Sequence, residues 1–390
     1  MTRVLMIAYA QWFNDARIQS YALTLLDAGA EVDVLCLEDP GPRPAHPRLR
    51  VLPLGRKYAG DSSLGHAASY WSFIRRARAA VRSLSASHRY DVIHVHNMPD
   101  CLVFAIPRSI RRTARLILDM HDVMIAGVLA KFRTVQKAIW YPWTWLQSWA
   151  SARQADVLLC ADHMQLEFLR RHGLRHPRAF VYLNLPDSRW FRRRPPKPLG
   201  DPIRFVYHGS ITRRSGLDLA VEAIGQIRRE RSVTLTLIGG GDLRPELEEC
   251  TRREGTFGQV VFFKDFIPVE RLYDEIATYD VGVVANRRTL MSQFCMLPVK
   301  LMEYLRIGLP VIVPDLPVIR RYVSPDMVEF FRPDDATDLA QAMRRLLARA
   351  SEWPRMIAAA DRFFETYSEA QQKAMYLNLC GLQPTEASHG

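Results

Sequence analysis

An α/β architecture of two doubly wound parallel-sheet domains is the fold this sequence predicts, on three observations. The 390 residues exceed what one hydrophobic core usually organises, so two domains of ordinary size are expected. Short β-branched runs alternate with longer amphipathic segments from the first residues onward, the pattern of βαβ units on a parallel sheet. The alternation stops between Asn184 and Asp201, where prolines and arginines carry no periodicity, and then restarts.

Each element has its own reason. Val4 to Ala8 reads as a first strand, because Asn14 and Asp15 arrive too early for a signal peptide and no small-residue cleavage site follows. Ile18, Tyr21, Ala22, Leu25 and Leu26 share one helical face that Gly29 ends. Val32 to Leu37 resumes strand, a helix follows over Tyr70 to Leu84, and Asp91 to Val95, Leu116 to Met120, Val157 to Cys160 and Phe180 to Leu183 complete the first sheet. After the break, strands are expected at Ile203 to Tyr207, Val233 to Ile238, Val260 to Phe263, Val281 to Ala285, Val311 to Val313 and Val328 to Phe331. Ser368 to Leu382 reads as a last amphipathic helix. The expected boundaries are 1–188, a linker at 189–200, 201–366, and a terminal segment at 367–390.

Composition narrows the function classes. Apolar content of 48% and charged content of 24% are those of a globular protein, and no run approaches the roughly 20 apolar residues of a membrane span. The expectation is a soluble or peripheral protein. Six cysteines lie scattered without a Cys-x-x-Cys pair, which suits neither a disulfide framework nor a zinc site and points to a reducing cytoplasm. A net charge of +12 favours nucleic acid, an anionic membrane or phosphorylated substrates without choosing among them. Arginines crowd Arg75 to Arg115 and Arg192 to Arg194; solvated helix faces account for them equally well.

Doubly wound sheets bind ligands beyond the carboxyl ends of their strands. This directs attention to Ala10 to Arg17, His94 to Asp100, His121 to Asp122, His208 to Gly216, Gly239 to Asp242, Lys264 to Pro268 and Asn286 to Lys300. The most informative stretch is Leu297 to Pro314, where Pro298 fits a first helical position and Gly308 a stop, predicting a helix over 298–307. Lys300 and Glu303 share one face of it. The backbone N–H groups of Val299, Lys300 and Leu301 would point out of its start, an anion site for a diphosphate. Glu303 lies too deep to serve as a capping-box residue.

The string Pro-x-Lys-x-x-Glu-Tyr-x-x-x-Gly-x-Pro-Val-Ile resembles the donor-site signature of glycosyltransferase family 4, retaining enzymes of the GT-B fold. Asp15-Ala-Arg17, Asp91-Val-Ile-His-Val-His96, Asp119-Met-His-Asp122, Ala155-Asp-Val-Leu-Leu-Cys160, Tyr207-His-Gly209 and Leu237-Ile-Gly-Gly-Gly241 agree with that family in order and spacing. The resemblance implies two Rossmann-like domains facing across a cleft, with the terminal helix crossing back to the first domain.

On the donor side it implies that Glu303 binds ribose as the second carboxylate of Glu-x7-Glu. The first carboxylate's position holds Cys295, for which Ser292 or Gln293 would have to substitute. Gly209, Ser210, Gly240 and Phe266 fall in donor-side loops. The family's diphosphate Arg and Lys positions read Ser210 and Ser215 here, so Arg213 and Arg214 become the candidate neutralising charges. The helix start at Asn14 and Asp15 would meet phosphate through its amides, or these residues merely cap.

On the acceptor side His121 matches the family's histidine, placed to exchange a proton with an acceptor hydroxyl or to orient it. Asp122, His96 and Asp100 are the other acceptor-pocket candidates. His121 and Glu303 are the expected catalytic pair. No Asp-x-Asp occurs, so no metal and no cofactor are expected. Trp140, Tyr141, Trp143, Trp145 and Trp149 beside Lys131, Arg133 and Lys137 suit a helix at a lipid headgroup boundary or an aromatic-rich core helix.

The expected function is retaining transfer of a sugar from a nucleotide diphosphate sugar to a carbohydrate or lipid-linked acceptor, of polysaccharide, glycolipid or other glycoconjugate type. The place is the cytoplasm, with peripheral contact to the inner face of an anionic membrane. A nucleotide-sugar 2-epimerase or phosphorylase-like enzyme of the same fold is the alternative. A basic nucleic-acid-binding protein is the alternative from another class, against which stands the lack of base-stacking aromatics or a recognition module.

Overall fold

A computed structural model describes the chain except for residues 40, 42–44, 59, 61, 132, 133 and 384–390. Two units result: Met1–Leu183 with the chain from Ala370 onward, and Asn184–Glu369.

The first unit is built on β1 (Arg3–Gln11), β2 (Glu31–Leu37), β3 (Leu49–Pro53), β4 (Val92–His96), β5 (Arg115–Met120), β6 (Val157–Cys160) and β7 (Ala179–Val181). All pair in parallel, in the order β3-β2-β1-β4-β5-β6-β7. The strand runs are continuously apolar because helices cover both faces of a parallel sheet. Register sets Met6 beside Val34 on one side and His94 on the other. The order turns between β1 and β4, so their carboxyl ends open the crevice where a ligand is expected. β3 is absent from the sequence reading, being five residues at the sheet edge with one buried position.

Helix Glu369–Leu379 completes this unit's core. Tyr376, Leu377, Leu379 and Cys380 join the cluster that holds Val4, Met6, Tyr21 and Leu25. Ala370 is exposed, and Tyr376 is the side chain that enters deepest.

The second unit repeats the plan with β8 (Ile203–His208), β9 (Val233–Ile238), β10 (Val261–Lys264), β11 (Val281–Val283), β12 (Val311–Pro314) and β13 (Glu329–Phe331), parallel in the order β10-β9-β8-β11-β12-β13. Its turning point lies between β8 and β11. The stretch read as a free linker at 189–200 packs on this unit. Arg194 N donates to Ile307 O at 3.0 Å, Arg193 pairs with Asp361, and Lys197 Nζ lies 2.6 Å from Asp280 Oδ1. The unit therefore begins at Asn184.

Candidate active site

In the second unit, helix Val299–Ile307 starts at Pro298, whose missing N–H costs nothing there, and stops at Gly308 in the left-handed region. Glu303 is buried, with 7% of its surface exposed. Its Oε2 stands 3.1 Å from Nε2 of His208, the last residue of β8. Tyr304 packs edge-on to the His208 ring at 5.1 Å and donates to Val206 O, locking the helix against β8. Lys300 turns the other way along β8, its Nζ 4.7 Å from the Tyr207 ring centre, a cation–π contact.

The loop after β8 runs against the loop after β9. Gly209 N donates to Ile238 O and Ile211 N to Gly240 O, both at 2.9 Å. Gly239 has φ +132°, and a Cβ there would stand 2.1 Å from Gly209 O. Only glycine permits two backbones this close. At Gly209, φ +116°, an added Cβ would meet Lys300 Cε at 3.3 Å. A helix start, one lysine and one nearly buried carboxylate thus gather at the turning point of the sheet, a combination that takes an anion beside a hydroxyl-bearing group.

In the first unit the organising group is Asp119 on β5, fully buried. Arg17 donates to it twice, Nη2 to Oδ1 at 2.7 Å and Nε to Oδ2 at 2.8 Å, the bidentate fork that suits guanidinium to carboxylate. Nδ1 of His96 and Nδ1 of His121 each lie 3.2 Å from Oδ2. Burial opposes ionisation of Asp119, but Arg17 outweighs it and holds the carboxyl well below the usual range. Desolvation works against a charged His121 too, yet the Asp119 charge raises its pKa above the ordinary imidazole value. Desolvation dominates at His94 and His96 and lowers theirs. Next to this network, His94 Nδ1 and Tyr376 Oη are 2.9 Å apart, joining the C-terminal helix to β4. His94, His96 and Asp119 offer ligand atoms within 4.8 Å of one another, but Arg17 already supplies the positive charge a metal would bring. The arrangement is that of an ion-pair network.

Comparison with known proteins decides the family. The family model described as glycosyl transferases group 1 matches residues 202–349, and that of the glycosyl transferase 4-like domain matches residues 15–184. The chain belongs to the family 4 glycosyltransferases of the GT-B fold. It is 24% identical over 257 residues to the amylovoran biosynthesis glycosyltransferase AmsK of Erwinia amylovora, covering 58% of this chain and 62% of the relative. To one component of the Arabidopsis thaliana phosphatidylinositol N-acetylglucosaminyltransferase it is 24% identical over 200 residues, 51% of this chain and 43% of that one. It thus spans less than two thirds of either relative. Among solved structures, sucrose-phosphate synthase of Thermosynechococcus elongatus superposes with TM-score 0.78 at 17% identity, over 97% of this chain and 98% of that one. Anabaena HepE in complex with UDP and glucose gives 0.72 at 14%, over 98% and 100%. At these identities the superpositions show the shared fold.

In the second unit, the predicted donor residues fall into three groups. Gly209, Ser210, Gly240, Val299, Lys300, Leu301 and Glu303 lie on the two facing loops and the helix just described, although Leu301 is buried and its N–H already donates to Pro298 O at 3.1 Å. Phe266 is exposed beyond β10, and Arg214 is exposed beside the loop after β8. Arg213 is exposed as well, and its Nη2 pairs with Glu246 Oε2 at 2.8 Å on the surface. Ser292 cannot replace the missing carboxylate at Cys295. Its Oγ accepts from Thr289 N at 2.8 Å and donates to Arg287 O at 2.6 Å, closing a capping box. Gln293 donates to Thr289 O at 3.2 Å.

In the first unit Asp15 caps helix Ala16–Asp27, its Oδ1 accepting from Ile18 N at 3.1 Å, whereas Asn14 Nδ2 donates to the Gln11 side chain at 2.9 Å. His121 and Asp122 are partly exposed beyond β5. His96 and Asp100 are corrections, because both are buried and act through what they hold. Asp100 accepts from Asn97 Nδ2 and from Ser148 Oγ, and the same Asn97 amide donates to Asp122 O at 2.5 Å.

Sequence reading passed over Arg17, Asp119, Asn97 and His208, although each stood inside a stretch singled out at a strand end or in a motif. It also missed Asn286, buried beyond β11 with Oδ1 unpartnered among the described residues.

Proposed function

We propose that this chain moves a sugar from a nucleoside diphosphate sugar to an acceptor hydroxyl with retention of anomeric configuration, the second unit holding the donor and the first the acceptor. The observation that carries the reading is the nearly buried Glu303 at the end of β8, flanked by Lys300 and the facing glycine loops. There the diphosphate meets Lys300, the Ser210 amide and the helix start at Val299 and Lys300, while the Glu303 carboxylate accepts from ribose hydroxyls. Arg214 adds positive charge as the leaving diphosphate forms. Neutralisation by these groups makes a metal unnecessary, in keeping with a chain that has no Asp-x-Asp.

In the transfer, the bond from the sugar's anomeric carbon to the diphosphate oxygen breaks, and a bond to the acceptor oxygen forms on the same face. The acceptor proton passes to the departing phosphate oxygen. His121 suits this division of labour: with its pKa raised by Asp119, more of it stays protonated near neutral pH, so it donates a hydrogen bond to the acceptor rather than taking its proton. The acceptor class supported by the family and by the relatives' names is a polysaccharide or lipid-linked glycoconjugate precursor. Cytoplasmic location and peripheral contact with an anionic membrane belong to the same reading, supported by cysteines that form no disulfide and by the positive net charge.

Radiolabelled UDP- and GDP-sugars incubated with and without a lipid extract test it. Label moving to an extracted acceptor only when the extract is present is the expected result. Label that stays on the nucleotide with altered sugar configuration would mean an epimerase instead.

A further inference from the structure

On the Asn184–Glu369 unit, a cleft of about 500 Å³ opens at the end of the sheet opposite the donor loops. Asp280 stands just before β11, and Gly308 and Pro310 just before β12, so the cleft meets the amino ends of strands whose carboxyl ends border the proposed donor site. Its walls are mainly apolar: Pro195 and Pro196 on the incoming segment, and Trp353 and Ile357 one turn apart on helix Trp353–Thr366. The polar edge of the indole is already satisfied, Trp353 Nε1 donating to Leu346 O at 3.0 Å. Such a volume, apolar walls and a few polar groups are the make-up of a small-molecule site. Arg193, Arg194, Lys197 and the acids Asp280 and Asp361 supply its charge. Asp361 pairs with Arg193, while Asp280 Oδ1 lies 2.6 Å from Lys197 Nζ and its Oδ2 accepts from Arg204 N at 2.7 Å. Half-buried Arg194 is the cation left over: its Nη1 donates to the carbonyls of Ala277 and Tyr279, and its Nε and Nη2 have no partner among the described residues. The same Nε–Nη2 edge grips a carboxylate at Arg17, Arg50, Arg320 and Arg344. Burial pulls the Arg194 pKa below the ordinary guanidinium value, by more than the neighbouring Asp280 charge raises it.

We propose that this cleft binds an organic monocarboxylate with an apolar body, the carboxylate forked on Arg194 and the body laid against Trp353, Ile357 and the two prolines. Charge and shape select this occupant. The open guanidinium edge matches a planar carboxylate in two parallel hydrogen bonds, whereas Asp280 and Asp361 would repel the second charge of a phosphate monoester. The apolar body is needed too, because burying it against these walls supplies binding energy that a bare anion lacks. The cleft also reaches the helix that bears Lys300 and Glu303: Arg194 N donates to Ile307 O at 3.0 Å, and Arg193 Nη1 to Leu305 O at 3.2 Å. A carboxylate held here sits behind the last turn of that helix, away from its start at Val299 where the donor diphosphate is proposed to bind. The site thus goes beyond the proposed function, and its occupancy is read without turnover.

Titration of naphthoate into the full chain, followed by saturation-transfer NMR, tests it. Naphthoate should bind, and neutral naphthamide, which lacks the charge-assisted hydrogen bonds, should bind about tenfold or more weakly. Acetate, which has no apolar body, and naphthyl phosphate, a dianion above neutral pH, should both bind more weakly than naphthoate. UDP and GDP should leave naphthoate bound. Arg194→Gln should weaken it about tenfold or more. Ala358→Glu sets a carboxylate at an exposed position lining the cleft; it should weaken naphthoate as much and keep its melting midpoint, so the proposal stays testable even where Arg194→Gln melts early. Arg253→Gln, exposed elsewhere on the unit, should bind as the wild type does. No binding of naphthoate, its displacement by UDP or GDP, equal binding of naphthamide, or full binding by Ala358→Glu overturns the proposal. So does self-association of the ligand-free chain that Ala358→Glu abolishes.

Discussion

Asp119 shows how one buried carboxylate organises a site. It is tolerable without water only because Arg17 and two histidines surround it, so removing either member of the Arg17–Asp119 pair should be far costlier than an exposed ion pair, about 3–5 kcal/mol. Urea denaturation of Asp119→Asn checks this, and an unchanged midpoint would contradict the network. The same geometry splits the histidines. In side-chain NMR titrations His121 should change charge above the ordinary imidazole value of about 6.5 and His94 and His96 below it. The signs follow for stability. The raised His121 pKa contributes stability that is full below the unfolded value and lost as pH rises through the folded one. The depressed Asp119 pKa contributes stability present above its unfolded value and lost as pH falls through the folded one. In the second unit, Glu303→Gln keeps the shape but loses the charge-assisted hydrogen bonds proposed for ribose. The expected loss is about 1.5–3 kcal/mol, tenfold or more in kcat/KM, with an unchanged fold. Near-normal kcat/KM would remove Glu303 from the donor site.

At the scale of elements, helix Val299–Ile307 was legible because proline, glycine and the apolar pattern all spoke for the same boundaries. What could not be read was the packing of its Glu303: spacing put it on a face with Lys300, whereas His208 and Tyr304 draw it into near-complete burial. Ser292 was misjudged for a related reason, since residue type and position do not reveal a competing partner such as Thr289. Edge strand β3 was lost because one buried residue in five leaves no period to detect. The facing loops give a sharper test. Gly239→Ala would place a Cβ against Gly209 O in a backbone conformation that L-residues avoid, costing roughly 1–3 kcal/mol and separating the loops. Thermal melts should fall and nucleotide-sugar affinity with them; retention of both would show that the close approach is dispensable.

At the scale of the whole molecule, the alternation of strands and helices foretold both sheets, and the family motifs sat at strand ends as the sheet topology requires. The unit boundary was less legible, because proline and arginine look like linker in sequence while Arg193, Arg194 and Lys197 find specific partners in the second unit. The C-terminal helix belongs to the core of the first unit, so truncation after Thr366 should strip Tyr376, Leu377 and Leu379 from it. Each fully buried side chain is worth about 1.5–3 kcal/mol against a total stability of about 5–15 kcal/mol, so the truncated chain should be insoluble or melt far lower. A soluble product with the original melting curve would contradict that account. The division of labour between the units is tested most directly by titration calorimetry of a UDP- and GDP-sugar panel into the wild type, Glu303→Gln and His121→Ala. At least one nucleotide sugar should bind the wild type in the presence of a chelator, bind Glu303→Gln about tenfold or more weakly, and bind His121→Ala with unchanged affinity; no binding by any donor, or equal loss in both variants, would contradict it.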